Sequence, residues 1–460
     1  MLFNAEFRRY LWVELNLHRV VVMPLVLAGL FYLTWITRSY ETLWNPRNFL
    51  LTSFMILTLI WGVRQAGDTV IQEVLQRTWD TQRMSILSPW SMTWGKLFGS
   101  TIFTWYGALL TLVALYLVII NHYPFFPEDR LWQLMLFAVG CGLLAQALSM
   151  MFSMLNIVNG TMEQRRHFST PLIIGLLFSF FFFIGVEHLF HTPLDQEPII
   201  QWYDYFVPLT PFALISMGAL LLWSWLGVYR LMSMELQKHK GPLMWLLFLI
   251  FLCGYAAGFV PVTRSMAAED QQLLKLGSAL LIITAMTYLA AFFESKDLLA
   301  YRKTLFHARR GDLIALFRAL PLWWVGLCLV VAVQITILFT PFRADFIQAT
   351  VSHDLTAPLH IKWALVAALF FAIRDLALMQ LLYLNPKAKR AKLTILLYLT
   401  LFYVLLPEVA KAVGLESLLA SLFYPVATKD PLIIVSPAVV EALVVISLAW
   451  SRWKGLMRAA

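Results

Sequence analysis

Charge is what this 460-residue sequence has least of: 13% of its residues are Asp, Glu, Lys or Arg, against 60% apolar. A water-facing domain carries about 25% charge, so a soluble globule of this length is excluded. Cysteine is scarce as well. Cys141, Cys253 and Cys328 lie far apart, each inside an apolar stretch, which excludes a disulfide framework or a zinc spacing and leaves them as small apolar side chains. No short apolar core ending at a small-residue cleavage site follows Glu6, Arg8 and Arg9, so no signal peptide is read here. No gap between the apolar stretches reaches the roughly 50 residues of a separate globular domain. A Walker A loop, G-x-x-x-x-G-K-[ST], is also missing. The only Gly-Lys, Gly95-Lys96, lacks both the earlier glycine and the Ser/Thr.

What the sequence has is apolar length. A helix needs about 20 apolar residues to cross a bilayer core of ~30 Å, and twelve stretches qualify, near 20–37, 49–66, 97–120, 131–157, 169–188, 206–231, 242–260, 273–293, 320–340, 360–384, 393–413 and 432–451. Most of the 35 cations crowd into every second gap: Arg64, Arg77, Arg83 and Lys96, then Arg165 and Arg166, then Arg230, Lys238 and Lys240, and so on to Arg452, Lys454 and Arg458. By the positive-inside rule those gaps and both termini are cytoplasmic. The expected fold is an all-α polytopic membrane protein of about twelve transmembrane helices in two six-helix halves. The pI near 9.4 then reflects topology and contact with the anionic lipid headgroups of the bilayer, not nucleic acid binding. Phe3, Phe7, Leu11 and Leu15 recur every fourth position with Arg9 and Glu14 on other faces, which predicts a helix lying along the membrane surface.

The longest gaps, 67–96 and 294–319, are each the second of their half, and the short basic link Lys238-His239-Lys240-Gly241-Pro242 divides the chain into 1–240 and 241–460. A register of 226 residues aligns Asp68 with Glu294, Arg77 with Lys303, Arg83 with Arg309, Arg166 with Lys392 and Pro211 with Pro437, as a diverged duplication would. Parallel six-helix repeats are a transporter arrangement. The outer gap 187–205 holds Glu187, His188, His191, Asp195 and Glu197 without Lys or Arg, and Trp202, Tyr203, Tyr205 and Phe206 close it like an interfacial belt. His-x-x-His alone is a weak metal signal, and a solvated loop is the simpler reading. Asn159-Gly-Thr161 matches a glycosylation acceptor but falls on the expected cytoplasmic face.

Residues 68–99 read DTVIQEVLQRTWDTQRMSILSPWSMTWGKLFG. The mixture of Asp68, Glu73, Arg77, Asp80 and Arg83 with Val70, Val74, Leu75, Met84 and Leu87 predicts an amphipathic helix, stopped at Ser88-Pro89, before a second helix that starts near Ser91 and runs into the third span. Here the chain resembles the permease subunits of type 2 ABC transporters. Glu73, Thr78, Ile86-Leu87-Ser88-Pro89, Ser91 and Gly95-Lys96 stand in the order and spacing of that family's cytoplasmic segment. Leu209-Thr210-Pro211-Phe212 looks like the opening of its last span, and the N-terminal surface helix like its elbow helix. Arg77 replaces the family's glycine, a residue that does not favour the tight turn expected before Thr78. The resemblance covers about 1–240; residues 294–320 keep the charge but lack Ser-Pro and Gly-Lys. It implies a transport subunit, not itself an enzyme, in the inner membrane of a bacterium. Segment 68–96, with Glu73, Arg77, Thr78, Arg83, Ser88, Pro89 and Lys96, would couple it to an ABC ATPase subunit in two copies. ATP and magnesium would sit on that partner and no cofactor on this chain. Further membrane subunits are compatible with the same reading.

Five charges fall within the late apolar stretches: Arg374, Asp375, Glu408, Lys411 and Glu441. Charge at membrane depth costs several kcal/mol unless paired or wet. Glu408 and Lys411 share a helix face and are expected to pair, and Arg374 is expected to pair with Asp375 or Glu441. The same groups would serve ion coupling if the chain were instead a secondary carrier. A membrane-embedded transferase acting on a lipid-linked substrate would have only the 187–204 cluster for its chemistry.

Overall fold

A computed structural model describes residues 4–37, 45–85, 87–158, 169–193, 196–238, 241–261, 268–294, 298–340, 359–384, 391–414, 421–423 and 431–459. Phe3, Ile86, Asn159–Thr161, Arg165, Arg166, Asp195, His239 and Lys240, which the sequence reading used, lie outside them. The protein is an all-α polytopic membrane protein. Among the described residues eleven helices are long and apolar enough to cross a membrane. The chain divides into two compact units: residues 1–200 with 206–240, and 201–205 with 241–460.

In the first unit α1 (Ala5–Glu14) is capped by Asn4, whose side chain accepts from Glu6 N–H and Phe7 N–H. There follow α2 (Leu17–Ile36), α3 (Pro46–Leu75), α4 (Trp79–Arg83), α5 (Pro89–Ser100), α6 (Ile102–His122), α7 (Glu128–Val158), α8 (Ser169–His191) and α9 (Leu209–Glu235). Helix α3 widens to a π-helix over Ile56–Gly62. Side chains of α7 bond one carbonyl in this stretch and one just after it: Gln146 Nε2 donates to Thr58 O (3.2 Å) and Ser149 Oγ to Val63 O (2.8 Å). Gly67 lies against Ser149 and Ser153, and Ala66 and Ala147 share one buried cluster, the small-residue contact that brings helices together where no hydrophobic effect can.

The predicted amphipathic helix after the second span is not separate. Residues 68–75 are the end of the 30-residue α3, and the chain breaks at Arg77. One short β-hairpin, β1 (Ile199–Trp202) and β2 (Tyr205–Pro208), replaces the irregular outer loop read from the sequence.

The second unit contains α10 (Leu243–Ala257), α11 (Ala268–Phe293), α12 (Leu298–Arg310), α13 (Leu313–Ala319), α14 (Leu322–Phe339), α15 (Leu359–Tyr383), α16 (Ala391–Ala412) and α17 (Pro431–Ala459). The stretch near 242–260, expected to span, is a helix of 15 residues, about 22 Å at 1.5 Å per residue and short of a ~30 Å core. The carbonyls at its C-terminal end are bonded from outside the helix: Tyr203 OH donates to Gly254 O (2.6 Å), Trp202 Nε1 to Tyr255 O (3.2 Å) and Tyr203 N–H to Gly258 O (2.7 Å). Glu294 receives Leu322 N–H at 2.9 and 3.0 Å and so caps α14. Helices α15 and α17 pack through Ala367, Phe371, Ile434 and Ala438.

Candidate functional site

The sequence-predicted coupling segment is built around an enclosed ion cluster. Lys96 on α5 is 0% exposed, and its Nζ donates to Glu6 Oε1 (2.8 Å), Glu73 Oε2 (2.5 Å) and Gln82 Oε1 (2.7 Å). All three ammonium hydrogens are thereby used. Arg9 adds bonds to Glu6 (2.8 Å) and Glu73 (2.6 Å). The Tyr10 hydroxyl donates to Glu73 Oε1 at 3.3 Å; burial and the Glu73 charge push it well above the usual phenol range, so it stays a donor. Two carboxylates thus meet two cations, and α1, α3, α4 and α5 are tied at one point. Trp79 on α4 closes the cluster, its ring 5.4 Å from Lys96 Nζ.

Gly95 explains the other half of the Gly-Lys pair. A Cβ there would fall 2.6 Å from Glu6 Cβ and 3.1 Å from Phe7 N. Only glycine lets α1 lie close enough for Glu6 to reach Lys96.

Glu73 is 6% exposed. The sequence offers it as a first contact for a partner chain; it faces inward, and so does Lys96. Pro89 is buried as the first residue of α5, and Ser88 caps that helix by accepting Ser91 N–H at 3.1 Å. Arg83 lies between Asp80 (3.8 Å) and Glu235 (3.9 Å). Arg77 and Thr78 are exposed.

The tight turn before Thr78 forms without glycine. Arg77 adopts φ 58°, Arg77 N–H bonds Val74 O (3.1 Å) and Thr78 N–H bonds Glu73 O (3.0 Å), which is a Schellman ending with an arginine in the left-handed position. Around this turn Leu75 and Met84 are 63% and 80% exposed, next to Arg77 and Asp80.

In the second unit Arg374, Asp375 and Glu441 come together as expected. Arg374 donates from Nε to Asp375 (2.9 Å) and from Nη1 to Glu441 (2.5 Å). Two residues not foreseen complete the set: Tyr403, in the π-helical turn Leu401–Leu405 of α16, donates to Asp375 at 2.5 Å, and Tyr288 of α11 donates at 2.7 Å. Phe371 and Phe402 lie under the guanidinium at 4.7 and 5.1 Å. Glu408 and Lys411 depart from expectation. Both are exposed, and among the described residues they form no ion pair with each other; an exposed pair gains too little to order two long side chains.

At the far end of the first unit a triad also went unread. Arg130, 1% exposed, donates to Thr210 Oγ1 (3.0 Å) and Glu197 Oε2 (3.1 Å), while Glu197 Oε1 accepts Thr210 N–H (2.7 Å). Burial acts to raise the Glu197 carboxyl, but the Thr210 hydrogen bonds and the Arg130 charge outweigh it and hold the group below its usual range. His191 pairs locally with Glu187 at 3.0 Å. Among the described residues no group of three His, Cys, Asp or Glu could hold a metal.

Comparison with family models, with curated proteins and with solved structures finds no match.

Proposed function

We propose that this chain is the membrane-spanning permease subunit of an ATP-driven exporter of the type 2 ABC kind, seated in a bacterial inner membrane with both termini cytoplasmic. The reading rests on the turn between α3 and α5. It presents Leu75, Arg77, Asp80 and Met84 outward on a base locked from within by Lys96, Glu73 and Glu6. An exposed mixed apolar and charged knob on a rigid mount suits a site where force is received from a second protein. ATP and magnesium belong to that ATPase, which acts in two copies. A push on α4 reaches α1, α3 and α5 together, because Lys96 bonds to three of those elements from the fourth.

A photo-crosslinking side chain at Met84, in the chain co-expressed with the ATPase encoded beside it, tests this. The expected result is an adduct with an ATP-hydrolysing chain, lost when the crosslinker is moved to the distant Phe125, which is also exposed. A purified chain that carries no ATPase and gives no adduct at Met84 overturns the proposal. Transport that persists without any ATPase favours instead the secondary carrier, whose coupling groups would be Arg374, Asp375 and Glu441.

A further inference from the structure

A groove of about 370 Å³ runs between α1 and the later turns of α3. Arg64, Gln65, Asp68 and Gln72 of α3 form one wall, and Tyr10 and Ser100 lie opposite; the α3 residues recur at the three- and four-residue spacing of one helix face. Helix α3 has 30 residues, about 45 Å, against ~30 Å of hydrocarbon. The turns from Arg64 onward therefore stand at headgroup depth, beside the surface helix α1. Trp61 and Val13, 42% and 60% exposed, form the apolar mouth.

Two polar atoms in this groove are buried without a hydrogen-bond partner: Gln65 Oε1, an acceptor, and the hydroxyl of Ser100, itself 5% exposed. Buried polar groups are almost always bonded, so these two describe a ligand with a donor for one and an acceptor for the other. The charges describe it further. Arg64 faces Asp68 at 3.5 Å, Glu14 pairs with Arg19 at 2.6 Å, and Arg9 pairs with Glu73 at 2.6 Å. The lining carries two cations and three carboxylates, with Arg19 outside it paired to Glu14, so the groove suits a ligand carrying both charges and gives no preference to a net anion.

We propose that the groove holds the headgroup of a zwitterionic phospholipid bearing a primary ammonium, with its phosphate at Arg64 and Ser100. The ammonium lies at Asp68 and Gln65, because Gln65 Oε1 requires an N–H donor that a quaternary ammonium lacks. Its acyl chains leave past Trp61 and Val13. The inference stands apart from the ATPase reading, since it needs neither ATP nor a partner chain.

Native mass spectrometry of the delipidated full chain provides the test, with phosphatidylethanolamine, phosphatidylcholine, phosphatidylglycerol and inorganic phosphate added in turn. The expected result is a one-to-one phosphatidylethanolamine adduct retained about tenfold better than either other lipid, the value of one charge-assisted hydrogen bond. Inorganic phosphate should not displace it. Arg64→Ala and, separately, Gln72→Trp should abolish the preference. Gln72 is exposed on the groove wall, so its replacement should leave the melting temperature unchanged. Equal retention of phosphatidylcholine or phosphatidylglycerol, displacement by inorganic phosphate, or an undiminished adduct with Gln72→Trp overturns the proposal.

Discussion

Lys96 Nζ lies 2.5 Å from Glu73 Oε2 in a site closed to solvent, although the two residues sit on different helices 23 positions apart. With Glu6 and Arg9 the cluster is neutral, so removing one cation leaves a buried carboxylate without its partner. Loss of one member of a buried pair costs roughly 3–5 kcal/mol. Lys96→Met should therefore lower the melting temperature sharply, whereas Lys96→Met with Glu73→Gln should recover part of the loss. The Arg9 arm contributes less, because its side chain is 45% exposed and solvent screens it. A Lys96→Met protein that melts like the parent would remove this cluster as the mount of the coupling turn.

Arg77 supplies the second prediction. A left-handed conformation costs a non-glycine residue about 1–2 kcal/mol, partly returned to an arginine by its smaller unfolded-state freedom. Arg77→Gly should raise stability by up to about 1 kcal/mol, and Arg77→Val should lower it, since a branched side chain tolerates this region least. If Arg77 also meets an ATPase, Arg77→Gly will separate the two roles: a more stable protein with weaker coupling of ATP hydrolysis to transport. A melting-temperature series over the three side chains checks the backbone part alone.

Acid sensitivity should trace to Glu197. Its folded pKa is depressed, so the folded state holds fewer protons there than the unfolded chain. The stabilisation is present above the ordinary glutamate value of about 4.3 and is lost as pH falls below it. Melting temperatures measured from about pH 7 down to pH 3 should drop, and Glu197→Gln should start lower at neutral pH and flatten the drop. An unchanged slope would place the acid sensitivity elsewhere.

Apolar length was legible in the sequence because crossing a bilayer is a local, compositional requirement, and the long helices follow it closely. What was not legible depends on who meets whom. Glu73 and Arg77 look equally surface-like in a charged segment; only the approach of α1 to Gly95 turns one inward and leaves the other exposed. Tyr288 and Tyr403 carried no signal, because a tyrosine in an apolar run reads as packing until an aspartate is found opposite. The bonds that Trp202 and Tyr203 make to the end of α10, some 50 residues later, were equally illegible.

Those tyrosines change what replacement of the intramembrane charges should do. Asp375 is 0% exposed and holds four polar contacts from Arg374, Tyr288 and Tyr403, while the Glu441 side chain is 27% exposed and, among the described residues, holds Arg374 alone. Asp375→Asn should therefore cost more stability than Glu441→Gln, on the order of 3 kcal/mol against about 1. Replacing Arg374, Asp375 and Glu441 together by leucine removes every charge, yet it takes the acceptor from the Tyr288 and Tyr403 hydroxyls, at about 1–3 kcal/mol for a buried hydroxyl and less for Tyr403, which is 36% exposed. Adding Tyr288→Phe and Tyr403→Phe should then restore most of the lost melting temperature. A purely structural network predicts that this five-fold apolar variant folds and transports. A variant that is stable but transports nothing would instead assign the network to the substrate or ion path.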